Sequence, residues 1–273
     1  MRTLQKLLPW CRFDPLLRFL AVCALVIGCQ PAAADKPACN RVFSLSFHDH
    51  GLLYSAETDS GIDKDFAEAL IRKSGCKFQT GVMPRARIWQ LIESGALDFS
   101  LSGITNPDRD RFASFAWYFS NRYYLLVRKD AVATSIADFV HRPGLKLGVI
   151  RSFRYGESAN KTVDQLQADA RVDYASGLGP LYQLLMNNRI QGMVIEPFDF
   201  PALDEKKIRA ATEILEFNDP SIRHGVIMSR KALAQEEQEK WRALVDELRA
   251  DGTVQRIFDK YFKPNLAAEM TRF

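Results

Sequence analysis

The sequence predicts an α/β fold in two lobes with a cleft between them, and three observations lead there. Its 273 residues are 47% hydrophobic and 26% charged, the make-up of a folded, water-soluble chain. At that length one core gives way to about two domains. Short apolar strands alternate with helical patterns from residue 41 onward, the rhythm of βαβ units. These fall into two sets, and in open α/β sheets the cleft lies beyond the carboxyl ends of the strands.

The chain begins with a basic stretch, an apolar run from Phe19 to Gly28, and Pro31-Ala32-Ala33-Ala34 before Asp35. That pattern is a secretory signal over residues 1–34, with small residues where signal peptidase cuts. The run is too short to span a bilayer. Val26-Ile27-Gly28-Cys29 also resembles a lipobox, so cleavage before Cys29 with a lipid anchor is the alternative. Removing residues 1–34 takes away four basic residues and one acidic one, leaving a charge of +1 from the original 37 and 33. So even a balance gives no reason to expect nucleic acid or an anionic membrane as partner.

Cys11, Cys23 and Cys29 lie in or beside the signal, which leaves Cys39 and Cys76. Each precedes a strand-like run, 41–47 and 77–80, and the helical pattern from Asp65 to Ser74 lies between them, closed by Gly75. If those strands are parallel neighbours, the two cysteines share one end of the sheet, within reach of a disulfide in an oxidising compartment. The other reading is two unrelated buried thiols. Arg85 to Ser94 forms the next helix, with Ile88, Leu91 and Ile92 on one face and Gly95 as its stop. A strand follows at 97–102. In Asn106-Pro107-Asp108-Arg109 the asparagine predicts a helix cap, with proline at the first helical position. The second set begins after the apolar run 123–127. Its strands are 145–150 and 192–195, separated by a helix around 181–188. Gly225-Val226-Ile227-Met228 is a further strand, and Trp241, Leu244, Val245 and Leu248 make the apolar stripe of a long helix that Gly252 ends.

The order of these motifs carries a resemblance. Gly61-Ile62-Asp63-Lys64-Asp65, the run 91–98 ending in Asp98, Gly103-Ile104-Thr105-Asn106-Pro107-Asp108-Arg109, Phe115-Ala116, and the closing runs 248–253 and 257–262 together resemble the family 3 extracellular solute-binding proteins of polar amino acid ABC transporters. The resemblance implies a type II periplasmic binding protein fold with two hinge crossover strands. Lobe 1 would hold residues 35–129 and 223–273, and lobe 2 residues 130–222. It also implies a periplasmic monomer that closes on a small zwitterion and delivers it to an ABC permease, with no cofactor.

On that pattern Arg109 clamps the ligand carboxylate, since it lies in the first helical turn after a strand, where helix amides and a guanidinium converge on one anion. Gly103 and Thr105 would offer a backbone group and a hydroxyl, although the usual Thr-Pro-Glu-Arg reads Asn106-Pro107-Asp108-Arg109 here. Glu196, after the strand 192–195, stands where the family has an Asp that receives the ligand's ammonium. Tyr54 lies in the loop where members stack a ring on the ligand. Arg85 takes the place of an aromatic platform, and Ser152-Phe153-Arg154 replaces the usual anion loop, so Ser152 and Arg154 join the candidates. Extra arginines there favour a second acidic group on the ligand. His48, Asp49 and His50 have no matching cluster that would predict a metal. The alternative is a lyase on the same scaffold, resembling cyclohexadienyl dehydratase, with Glu196 as general acid or base, or a ligand sensor.

Overall fold

The computed structural model describes residues 36–273; the signal at 1–34 and Cys29 lie outside the described residues. Among these are two five-stranded sheets. The first runs in the order β2 (Lys77–Val82), β1 (Val42–Phe47), β3 (Phe99–Gly103), β10 (Ile222–Ser229), β4 (Ala113–Asn121). Its first three strands are parallel, and β10 runs antiparallel to both β3 and β4. The second runs β7 (Val172–Ala175), β6 (Leu147–Ile150), β8 (Gly192–Ile195), β5 (Tyr124–Arg128), β9 (Thr212–Glu216). The chain therefore crosses between lobes twice, through Arg122-Tyr123 and through residues 217–221. The two-lobed α/β architecture is the one expected.

Each sheet is covered on both faces. In lobe 1, α1 (Ile62–Ser74) and α7 (Gln235–Ala250) pack Phe66, Leu70, Trp241 and Leu244 onto Phe43, Leu45 and Phe99. On the other face α2 (Arg85–Ser94) packs Ile88 and Ile92 onto Phe115 and Ile227. In lobe 2, α3 (Ile136–His141) and α4 (Glu157–Ala168) cover one face, and α5 (Leu178–Met186) and α6 (Phe200–Glu205) the other. Burying a side chain the size of leucine or phenylalanine contributes about 1.5–3 kcal/mol, so these stripes hold the frame. The short α8 (Thr253–Phe258) and α9 (Pro264–Thr271) complete lobe 1.

The local signals act as read at α2, which spans Arg85–Ser94, and at its stop, Gly95, in the left-handed conformation at φ 79°. The Val42↔Lys77 register places Cys39 and Cys76 at one end of the β1–β2 pair, and their sulfurs are bonded with Cα atoms 4.9 Å apart.

Two segments fold differently from their expectation. Asn106 does not open an α-helix: Arg109–Arg111 make a single 3-10 turn and β4 starts at Ala113. The pairing of Ala113 with Ser229 on β10 leaves no length for a longer helix. And Tyr124–Arg128, left with lobe 1 by a boundary at residue 129, pairs with β8 and β9 in the second sheet. The crossover thus falls about seven residues earlier, just after β4 ends at Asn121.

Candidate functional site

Four strand ends, the first crossover and β10 converge between the lobes. β1 leads into the loop that carries Leu53, β3 into Ser102, Gly103 and Ile104, β6 into Phe153 and Arg154, and β8 into Glu196. They enclose a cavity of about 20 Å³, lined among others by Arg85, Arg109, Arg154, Glu196, Trp89 and His224. That is the size of about one water site, so an amino-acid-sized molecule enters only when the lobes part. Ser102 and Ser152 both adopt left-handed φ, 52° and 63°, a conformation costing on the order of 1–3 kcal/mol that clusters at ligand sites.

Arg109 is placed by its turn: the Asn106 side-chain carbonyl accepts from Arg109 N at 2.9 Å. The guanidinium donates to Ile104 O at 3.0 Å and, across the cleft, to Ser152 O at 2.9 Å. It lies 4.0 Å over the Trp89 ring, so Trp89 is a platform for the arginine. Burial, then the neighbouring Arg85 charge, lower its pKa to about 9, which leaves it protonated at neutral pH. Arg85, in the first turn of α2, is 5% exposed. It donates to Leu101 O at 2.9 Å and lies 5.7 Å from the Phe153 ring. Burial lowers its pKa too. Arg154 lines the same cavity and is exposed.

Glu196 is 3% exposed. Its Oε1 lies 2.6 Å from His50 Nε2 of the other lobe, and its Oε2 accepts from Asn121 at 2.5 Å. Burial alone would lower the His50 pKa and raise that of Glu196; the bond between them reverses both shifts, favouring the ion pair. The segment after Glu196 ties the lobes further. Leu52 N donates to Phe198 O at 3.1 Å, and the Phe198 ring sits 5.3 Å from Phe119 and 5.6 Å from Phe262 of lobe 1. At Gly51, with φ at +51°, a Cβ would stand 2.6 Å from Phe198 O, so only glycine permits this approach.

Of the sequence candidates, Gly103, Arg85, Arg109, Arg154 and Glu196 line the cavity, and Ser152 meets it through its carbonyl. Thr105 is exposed and its hydroxyl donates to Asp110 at 2.5 Å. Tyr54 is stacked on Phe47 in the core, ring centroids 4.6 Å apart, with its hydroxyl on Asp59; Leu53 faces the cavity in its place. Sequence reasoning missed His50, Asn121, Tyr123, Phe153 and His224. Among these, the His48-Asp49-His50 run signals only a metal, and Phe153 lies inside the Ser152-Phe153-Arg154 run without standing out from it.

Two further carboxylates lie behind the lining. Asp63 accepts from Ser102 Oγ and Tyr118 OH, both at 2.6 Å, and burial raises its pKa to about 6. Asp199 accepts from Glu196 N at 3.0 Å, and burial raises its pKa to about 7. His224, 3.3 Å from Tyr123 OH, is held neutral by burial with a pKa of about 4.

The family model described as bacterial extracellular solute-binding proteins, family 3, matches residues 50–264. Among solved structures, one similar fold is an ABC uptake transporter substrate-binding protein from Streptococcus pneumoniae with bound histidine. It has 17% identity and a TM-score of 0.68, over 81% of this chain and 92% of that one. Another is the arginine-, lysine-, histidine-binding protein of Geobacillus stearothermophilus, at 14% identity and TM-score 0.70, over 81% and 95%. A third is an ancestral amino acid-binding protein described as a precursor of cyclohexadienyl dehydratase, at 19% identity and TM-score 0.66, over 81% and 95%. No curated protein matches.

Proposed function

Because the chain belongs to the bacterial extracellular solute-binding proteins of family 3, we propose that it captures an amino acid or related small carboxylate in the periplasm by lobe closure and hands it to an ABC permease. The observation that carries this reading is Arg109. A guanidinium on lobe 1, 7% exposed, bridges the cleft to Ser152 O on lobe 2. A ligand carboxylate inserted there takes over the bridge with charge-assisted bonds and ties ligand uptake to closure. The histidine- and amino acid-binding proteins of like fold support the solute class. Among the described residues no helix is long and apolar enough to cross a membrane, which suits a carrier that meets its permease from outside.

A second reading, a lyase on this scaffold, draws on Asp199. Its pKa of about 7 beside Glu196 is that of a group able to give or take a proton at neutral pH. A thermal-shift screen against amino acids, small mono- and dicarboxylates and prephenate-like acids separates the two, since a ligand at 100 times its dissociation constant stabilises the fold by about 2.7 kcal/mol. A hit recovered unchanged fits capture, and a hit converted fits the lyase. In Arg109→Ala, affinity for the hit falls by about 30-fold or more, matching a loss of about 2 kcal/mol or more for a truncated buried charge contact. Undiminished affinity removes the clamp.

A further inference from the structure

Three cationic side chains line the cavity, and Glu196 is the one carboxylate among the described lining residues. Glu196 already has its cation: His50 at 2.6 Å, supplied by the protein itself. Arg85 and Arg109 have no carboxylate in direct contact among the described residues, although Asp63 lies near enough to act on Arg85. Arg85 donates one hydrogen bond, to Leu101 O, and Arg109 donates two, to Ile104 O and Ser152 O, although a guanidinium offers five donors.

Arg171 shows what a buried structural arginine looks like in the same chain. It is 9% exposed, and its guanidinium is wrapped by four carbonyls, those of Leu145, Val140, Phe139 and Arg142. Arg85 and Arg109 are at least as buried, donate fewer hydrogen bonds and line one shared cavity. Their charges are close enough to act on each other. An ammonium group entering this space would meet three guanidinia and a carboxylate already neutralised by His50, whereas carboxylates would meet unspent donors.

We propose that the ligand is a small organic acid that carries no ammonium group and has two carboxylates, one held by Arg109 and the other by Arg85. The proposal rests on the capture reading above and narrows its solute class. Its chemistry is that of a short dicarboxylate, in which two carboxylates answer two guanidinia with bidentate bonds. His50 takes the place that an α-ammonium would otherwise fill against Glu196.

Calorimetric titration of the purified chain with matched pairs tests this: succinate against aspartate, glutarate against glutamate, and adipate against 2-aminoadipate. In at least one pair the member without the amino group binds tenfold tighter or more. The same diacid also exceeds its monocarboxylate counterpart, such as butyrate for succinate, by tenfold, and Arg85→Gln erases that second factor. Equal or tighter binding of the amino member in every pair that binds, or of any standard amino acid alone, overturns the inference and leaves capture standing. A diacid that binds no better than its monocarboxylate counterpart in the parent overturns the role of Arg85 without relying on the variant. If no acid and no amino acid binds, the capture reading falls and takes this inference with it.

Discussion

The two sides of the cleft treat charge in opposite ways. On the carboxylate side, Glu196 is held by His50 and Asn121, both from lobe 1 or its crossover strand, and the following Phe198 is buried among lobe 1 rings. On the arginine side, Arg85 and Arg109 rest on carbonyl oxygens and on the Phe153 and Trp89 rings. Burying a charge is costly unless a partner offsets it. The side that supplies its own partner holds lobe to lobe, and the side left short of anions is where an outside anion gains most.

Breaking the paired side has the largest effect. His50→Ala leaves Glu196 buried with no cation, a change that costs about 3–5 kcal/mol. Urea or thermal unfolding shows it as a fall in Tm on the order of 10 °C for a chain of this size. Adding Glu196→Gln to His50→Ala recovers part of the loss, because the residual cost is that of an unpaired charge. An unchanged Tm in His50→Ala would mean that the pair does not tie the lobes.

Asp63 sits between these extremes, a buried carboxylate facing the Ser102 and Tyr118 hydroxyls, with Arg85 and His50 near enough to stabilise its charge. Burial outweighs them and sets its pKa at about 6, against 3.8 ordinarily. The folded state therefore holds the proton where the unfolded chain has lost it, so this group's contribution to stability falls as pH rises from about 4 to about 6 and is level beyond. Asp63→Asn removes the effect. The variant gains on the parent by about 3 kcal/mol across that window, two pKa units at about 1.4 kcal/mol each. Unfolding curves of both chains at pH 4, 5, 6 and 7 measure it, and a constant difference would show that Asp63 ionises as freely as an exposed carboxylate.

Much of this frame was legible along the sequence, because helices and their stops are local. The glycines at 75 and 95 end α1 and α2 in left-handed turns, and Trp241, Leu244, Val245 and Leu248 all lie buried on α7. What local pattern does not carry is which sheet a strand joins. Tyr124–Arg128 is an apolar run that reads equally well in either lobe, and its place is set by pairing with strands 64 or more residues downstream. The site divides along the same line. Arg109 stands out because the loop after β3 announces it within a few residues. The partner of Glu196 does not, since His50 lies 146 residues away and an imidazole after a strand gives no sign of the carboxylate it will meet.

Thr105 fixes where the arginine side ends, and it carries the smallest expected effect. Its neighbours in sequence, Gly103 and Ile104, line the cavity, but past Ile104 the chain turns outward, and the Thr105 hydroxyl is spent on Asp110 at the surface. An exposed hydrogen bond of this kind contributes little, and surface substitutions away from packed features stay within about 0.5 kcal/mol. Thr105→Ala therefore leaves the Tm unchanged within error and alters ligand affinity by less than about threefold, on the conversion of 1.4 kcal/mol to tenfold. Titration with the acid that gives the largest thermal shift decides it. A tenfold loss would mean that parting of the lobes turns Thr105 inward, and the arginine side would then extend past the Asn106 turn to include a hydroxyl donor for the same carboxylate that Arg109 holds.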